Sequence, residues 1–431
     1  MNEFIGIDAG STFLKGAILD AGALSIVRSE RVPFPPFLDG LPAGHKEVDP
    51  RAIMRAVDDL IARLAPDPAR TAGIVLCGQM HGVVLMDERG QPVSNYISWL
   101  DQRLSADEFG ELAALIPSGL RAEIGNEFRA SIGIGLLWWL KRRIRLPTGA
   151  TPVSVADYVA AQLCGAAPVL EPTQAAALGT VRLRDAAWHG EVIGRAGLDG
   201  LRWPELRPSG ARVGRWNGVP CYATAGDQQC TLAGALLAPG ELSFNIGTGS
   251  QVSLLTDSPD AGVLQLRPYF DGRYLRTITH IPGGRALAAL AGLLAELGGL
   301  SDEETWRRID QAVAATPSTD LRAGMAFYPG PCGDSGFLEN LHESNLRAGH
   351  VFRAAYEAMA RNHADCARRL DPDRTARGVV FSGGVARRNA LLRHLTASAL
   401  GLDYRLSPDP EDALYGLLIL ARRYSGITPK V

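Results

Sequence analysis

FIGIDAGSTFLK, residues Phe4 to Lys15, is an apolar strand carrying one aspartate that runs through a Gly/Ser/Thr turn into a second apolar strand. Such a hairpin offers backbone N–H groups and hydroxyls from Gly10, Ser11 and Thr12, with Lys15 just beyond, to the oxygens of a phosphate chain. Asp8 at the strand end could hold a magnesium ion through water, since that hard cation keeps several waters and takes few carboxylates. The plain alternative is an ordinary β-turn, because Gly, Asp and Ser are common turn residues. The same grammar returns in Leu242–Leu255 (LSFNIGTGSQVSLL), where Gly247 and Thr248 occupy the turn. Two clamps separated by a long interval point to a nucleotide held between two lobes.

A third glycine site, Phe381–Ala386 (FSGGVA), follows an apolar strand and opens a helix with Leu391, Leu392, Leu395 and Ala399 on one face. Three such sites in this order resemble actin-like proteins, in which the first two clamps grip phosphates and the third receives adenosine. The fold class expected is α/β: a two-lobed actin-like ATPase (ribonuclease-H-like) fold with mixed β-sheets flanked by helices and an interlobe cleft. The Ala238-Pro239-Gly240 break sets the expected boundary, giving an N-terminal lobe over 1–237 and a C-terminal lobe over 238–431.

At 431 residues the chain exceeds what one compact core usually supports. Lys+Arg 44 against Asp+Glu 46, with no long basic run, argues against a nucleic-acid partner or a polybasic membrane patch. No apolar run approaches the roughly 20 residues of a membrane helix, and no basic region precedes an apolar core at the N-terminus, so a cytoplasmic protein is expected. Cys77, Cys164, Cys221, Cys230, Cys332 and Cys366 form no CxxC pair, which speaks against a structural zinc site and for reduced thiols.

Helices are expected over Pro50–Leu64 with Asp49 as N-cap, Ile134–Lys141, Ala156–Leu163, Thr231–Leu237, Gly298–Pro317 and Ala348–Leu370. An apolar stripe (Ala413, Leu414, Leu417, Leu418, Ala421) lies near the C-terminus. The strand Gly73–Cys77 delivers Gln79, Met80 and His81 to its end, where open α/β sheets place ligands. Gln79 and His81 could hydrogen-bond sugar hydroxyls, or be packed loop residues. Trp99, Asp101 and Arg103 combine an apolar platform with polar groups, as sugar sites do, although core packing would also account for Trp99. The strand Pro220–Ala225 leads into Gly226-Asp227-Gln228. Asp227 is the candidate catalytic base, its competing role being helix N-cap.

The pieces DAGST (Asp8–Thr12), GQMHG (Gly78–Gly82), WLDQR (Trp99–Arg103), AGDQ (Ala225–Gln228), NIGTGS (Asn245–Ser250) and SGGVARRN (Ser382–Asn389) together resemble the FGGY carbohydrate kinases, in that family's order and across nearly the whole chain. The resemblance implies ATP and Mg2+, with a ketose as acceptor and a homodimer as the assembly. It implies that Asp227 is the base, that Met80, His81 and Gln228 touch the sugar, and that Thr12 and Thr248 contact phosphates. Gly383, Gly384 and Asn389 would line the adenosine site. Within the family, PYFDGRYL (Pro268–Leu275) and GDQQC around Asp227 resemble sedoheptulose-phosphorylating members, with xylulose-phosphorylating ones as the alternative. Two departures stand out: Phe13 sits where relatives often carry a hydroxyl, and FYPGPCGDSG (Phe327–Gly336) lacks a Gly-Glu-Arg triplet common in xylulokinases. A non-enzymatic actin-like switch and a sugar-binding pseudokinase are the rival readings.

Overall fold

A computed structural model describes residues 2–144 and 146–426. The chain packs as two units, one formed by 1–236, 256–275 and 411–431, the other by 237–255 and 276–410. The simple split expected after residue 237 marks the end of the first long stretch, but two later segments return to the first unit. The reason is packing: the C-terminal apolar stripe forms the helix Asp412–Tyr424 and buries Leu414, Leu417 and Leu418 against Phe4, Leu19, Val75 and Cys77.

In the first unit the strand Glu3–Ala9 lies inside the sheet, antiparallel to Phe13–Asp20 and parallel to Thr71–Gly78. Ser25–Pro33 extends one side; Val219–Tyr222 and Arg212–Trp216 extend the other. Both sheet faces are covered, which is why the first strand reads as a nearly continuous apolar run. Ile5 and Ile7 face the helix Pro50–Leu64 and its neighbours; Phe4 faces the C-terminal helix. Side chains alternate along a strand, so Asp8 lies on the face of the C-terminal helix.

In the second unit the sheet order runs Tyr274–Ile281, Ser250–Thr256, Glu241–Ile246, Gly378–Ser382, Tyr404–Leu406. The hairpin Glu241–Ile246/Ser250–Thr256 is antiparallel with Ile246 opposite Ser250, and Glu241–Ile246 is parallel to Gly378–Ser382. This repeats the hairpin-plus-parallel-strand arrangement of the first unit.

Asp49 caps the helix Pro50–Leu64 by accepting the Arg51 N–H, and Ala348–Leu370 is helical throughout. The helix expected over Gly298–Pro317 is Asp302–Ala314, capped by Ser301, and before it lies Gly284–Gly298, a helix the sequence reading lacks, which ends at Gly299 with φ 58°. The helix expected from Thr231 begins four residues earlier, at Asp227, and runs to Gly234.

Candidate active site

Three parallel strands of the first unit stop in register. Ala9 pairs with Gly78 and Gly78 with Gly226, so Gly10, Gln79 and Asp227 leave the sheet side by side. A row below, Asp8 lies opposite Lys15 on one neighbour and Cys77 on the other. The edge is pinned by a helix the sequence reading passed over, Pro172–Ala176. The buried Gln174 amide donates to Gly78 O at 2.9 Å and Ala225 O at 3.0 Å, and Thr173 Oγ1 accepts the Gly226 N–H at 2.9 Å. Glu171, its pKa pushed up to about 7 by burial, accepts from Thr173 N–H and hydroxyl and so aims that hydroxyl.

Asp8 is buried. Its pKa is pushed up to about 7, first by burial and then by the Asp227 carboxylate, against the pull of Lys15 and the Cys77 thiol 3.7 Å from its Oδ1. A buried carboxylate that resists ionisation beside another acid fits a cation in place of the proton. Among the described residues no group of three or more His, Cys, Asp or Glu could hold a metal. As a single buried carboxylate, Asp8 could serve an ion that takes one carboxylate and completes its shell with water, the habit of Mg2+. Lys15 extends to Glu411, Nζ to Oε2 2.6 Å. Ser11 and Thr12 are exposed at the turn, and a Cβ on Gly10 would press to 2.9 Å from Phe13 O.

Asp227 is the first helical residue, with Gly226 as N-cap, so it does not cap the helix. Its Oδ1 accepts the Gln228 N–H at 2.8 Å. Burial raises its pKa to about 6, against the pull of that N–H and of Arg267. Such a carboxylate is ionised at neutral pH yet can still take a proton.

Beside it lies a buried polar network. Glu127 accepts from Arg267 Nε at 2.7 Å and Nη2 at 3.2 Å, from His81 Nε2 at 2.7 Å and from Gln265 Nε2 at 2.9 Å. Arg129 stands 3.5 Å away, and Arg267 Nη1 also donates to Gln228 Oε1. Burial opposes the charge on Glu127, but Arg267 and His81 hold its pKa well below the carboxylate range. Burial lowers His81 to about 4, so its ring is neutral. The His81 backbone has φ 77°, a left-handed conformation uncommon for a residue with a side chain. Met80 packs on the strand end, where a Cβ on Gly226 would meet its sulfur at 3.0 Å. Gln79 Nε2 donates to Gly10 O at 3.4 Å, while its buried Oε1 has no partner among the described residues.

The sequence reading found His81, Gln79, Gln228 and Asp227 through their motifs. It missed Glu127, Arg267, Gln265 and Arg129, which lie in no motif and meet only through contacts some 140 residues apart in sequence. Asp101 and Arg103 turn to each other. Arg103 Nε and Nη2 each lie 2.8 Å from Asp101, Nη2 also bonds Glu47 at 2.6 Å, and the remaining Asp101 bonds include the Lys46 N–H at 2.7 Å. Of that motif Trp99 is 37% exposed, and Leu100 and Gln102 are exposed as well.

In the second unit the turn after Ile246 is a stack of bare backbone. Gly284 N donates to Gly247 O at 2.8 Å and Arg285 N to Thr248 O at 2.9 Å. A Cβ on Gly283 would meet Gly249 at 2.8 Å; one on Gly384 would meet nothing closer than the Arg388 guanidinium at 3.6 Å. Gly383, at φ 85°, lies where a Cβ would meet Ile246 O at 2.6 Å. Thr248 is exposed at the tip. Beneath it Ser250 Oγ bonds His363 Nε2 at 2.5 Å, while His363 Nδ1 bonds Met359 O at 2.6 Å. This buried histidine, held neutral near pKa 4 by burial, anchors the clamp and was also outside the sequence reading. Asn389 uses Oδ1 to accept the Leu392 N–H at 2.8 Å, capping Ala390–Leu400.

Two units, each built on a hairpin beside a parallel strand, define the actin-like ATPase fold with mixed sheets flanked by helices. A xylulose kinase from Rhodospirillum rubrum superposes with TM-score 0.86 at 22% identity over 99% of this chain and 92% of that one. A Plasmodium falciparum glycerol kinase with ADP gives 0.86 at 17% identity over 100% and 91%. Residues 4–234 match the profile of the N-terminal domain of the FGGY family of carbohydrate kinases, and 289–424 that of its C-terminal domain. The chain therefore belongs to the FGGY family of carbohydrate kinases, enzymes that use ATP to phosphorylate sugars. Its sequence is 26% identical to a Homo sapiens sedoheptulokinase over 97% of both chains. No helix among the described residues is long and apolar enough to cross a membrane.

Proposed function

We propose that this chain transfers the γ-phosphoryl group of ATP to the terminal primary hydroxyl of a ketose, sedoheptulose first among them, giving the 7-phosphate. The observation that carries the substrate is the end-to-end match to a sedoheptulokinase. D-Xylulose is the second reading, favoured by the likeness to xylulose kinases in fold.

Asp227 accepts the proton of the attacking hydroxyl as its oxygen bonds the γ-phosphorus and the bond to the bridging oxygen of ADP breaks. Gln79, with an unpartnered buried oxygen, His81 and Gln228 orient the sugar. Gly10, Ser11 and Thr12, and Gly247 with Thr248, supply backbone and hydroxyl donors to phosphates, with Gly383, Gly384 and Asn389 toward the adenosine. Asp8 would hold Mg2+ through water; when bound, the ion neutralises charge on the phosphates. The cytoplasmic setting expected from the sequence is part of this reading, and sedimentation would test the homodimer that the family resemblance implies.

An ADP-release assay with Mg-ATP against sedoheptulose, xylulose, ribulose, fructose and glycerol, ranked by kcat/KM, tests the reading. A lead for sedoheptulose upholds it; a lead for glycerol, or silence across the panel, overturns it.

A further inference from the structure

We propose that Cys332 and Cys366 form a peroxide-oxidation site, in which Cys332 is the attacking thiol and Cys366 closes an intramolecular disulfide. Cys332 lies in a turn whose ends bond each other, Gly330 N to Gly333 O at 2.9 Å and Gly333 N to Gly330 O at 3.2 Å. Cys366 lies in the helix Ala348–Leu370 and is 2% exposed. The turn rests on that helix: Arg369, three residues after Cys366 and so on the same face, reaches Pro331 O at 3.5 Å. This contact brings the residue before Cys332 to one helical turn from Cys366, and the two thiols are in hydrogen-bond contact.

The pair is asymmetric. Cys332 is half-buried; its bond to the Cys366 thiol and the Arg369 guanidinium lower its pKa, against burial and Asp365. The same bond and burial push the Cys366 thiol up. A partly exposed thiol beside a cation carries the thiolate, the form that attacks peroxide. Cys164 is also half-buried beside a second thiol, Cys221, but that thiol and burial are what shift it, with no arginine.

The Cys332 thiolate attacks one peroxide oxygen, the O–O bond breaks and hydroxide leaves, so the sulfur loses two electrons and becomes a sulfenic acid. Cys366 then attacks that sulfur; the S–S bond forms, the S–O bond breaks, and the hydroxyl leaves as water with the Cys366 proton. The disulfide ties the loop Phe327–Gly336 to the helix face from which His363, three residues before Cys366, bonds Ser250 beneath the second clamp. The same loop touches that clamp's backing. Tyr328 donates to Ile281 O at 3.2 Å, its ring lies 3.9 Å from the Arg285 guanidinium, and the Arg285 N–H donates to Thr248 O.

The test treats full-length reduced protein with excess hydrogen peroxide, alkylates the remaining thiols under denaturing conditions and maps peptides by mass spectrometry, a readout that needs no turnover. Trypsin separates the two cysteines, because Arg347, Arg353 and Arg361 lie between them. The expected product is a crosslink between peptides 323–347 and 362–368, two hydrogen atoms lighter than their sum and reversed by dithiothreitol. Cys332 should be consumed at least about tenfold faster than Cys164, following its thiolate fraction. In Cys366→Ala, dimedone should trap a sulfenic acid on Cys332. Cys332→Ser should give no crosslink and leave Cys366 open to alkylation, with circular dichroism verifying that both variants fold. A first crosslink through Cys164 or Cys77 in the wild type, or all six thiols still alkylated after peroxide, overturns the proposal.

Discussion

As the proposed base, Asp227 must be ionised to accept a proton, and burial holds its pKa near 6. Below that pH the carboxyl is already protonated, so kcat/KM for the sugar should rise as pH increases through about 6 and level off above. A flat profile from pH 5 to 8 would remove Asp227 from the role of base. Asp227→Ala should cut kcat by about 10²–10⁴-fold while ATP binding, measured by calorimetry, stays near wild type. Asp8 allows a prediction of the opposite flavour. Its pKa is raised from 3.8 to about 7, so between those values the folded chain holds a proton that the unfolded chain has released, and stability falls as pH rises. Without divalent cation, Asp8→Asn should therefore melt about 2 °C or more above wild type at pH 8, with the gap smaller at pH 5 and closing only below about pH 4. Equal melting at both pH values would show that the Asp8 charge costs nothing. At this scale the sequence disclosed those residues whose role follows from lying at a strand end beside glycine. It concealed Glu127, Arg267, Gln174 and His363, whose roles exist only once distant segments meet.

The helix that begins with Asp227 is seated by another helix at a crossing too close for side chains. A Cβ on Gly416 would strike Cys230 O, and one on Gly234 would strike Asp412 O and come within 2.8 Å of Gly416 N. Since Asp227 opens one of these helices, forcing them apart displaces the proposed base. Gly416→Ala should cost about 1–3 kcal/mol in urea unfolding and lower kcat. Gly110→Ala is the matched control: it lies in the helix Ala106–Leu115 with no atom within 4 Å of the added Cβ, and should stabilise by about 0.5–1 kcal/mol. Wild-type stability and kcat in Gly416→Ala would mean the crossing is looser than its backbone distances imply. Helices with a polar N-cap and one apolar stripe, such as Pro50–Leu64, are legible because cap and period agree. Gly284–Gly298 is not, because it opens on glycine without a side-chain cap and carries Ala and Leu around most of its circumference.

At the scale of the whole chain, the first unit cannot be cut out as one continuous stretch. Residues 1–236 hold the sheet, yet one face is covered by Leu414, Leu417 and Leu418, and Arg267, the partner of buried Glu127, comes from the returning segment 256–275. The C-terminal helix is fastened further by Tyr424, stacked on Tyr222 at 5.1 Å and bonded to Ser209 at 2.7 Å. Nothing in the apolar stripe at Ala413–Ala421 names the sheet it covers, so a sequence reading places it with its neighbours in the chain. A protein truncated after Pro410 exposes Phe4, Leu19, Val75 and Cys77 together, a loss well beyond the roughly 2–5 kcal/mol of a single buried leucine. It should lose cooperative melting of the first unit, bind a hydrophobic dye and have no kinase activity. Leu417→Ala, the graded version, should lower stability by about 2–5 kcal/mol. Cooperative, native-like melting of the 1–410 fragment would show that the sheet is stable without its returning helix.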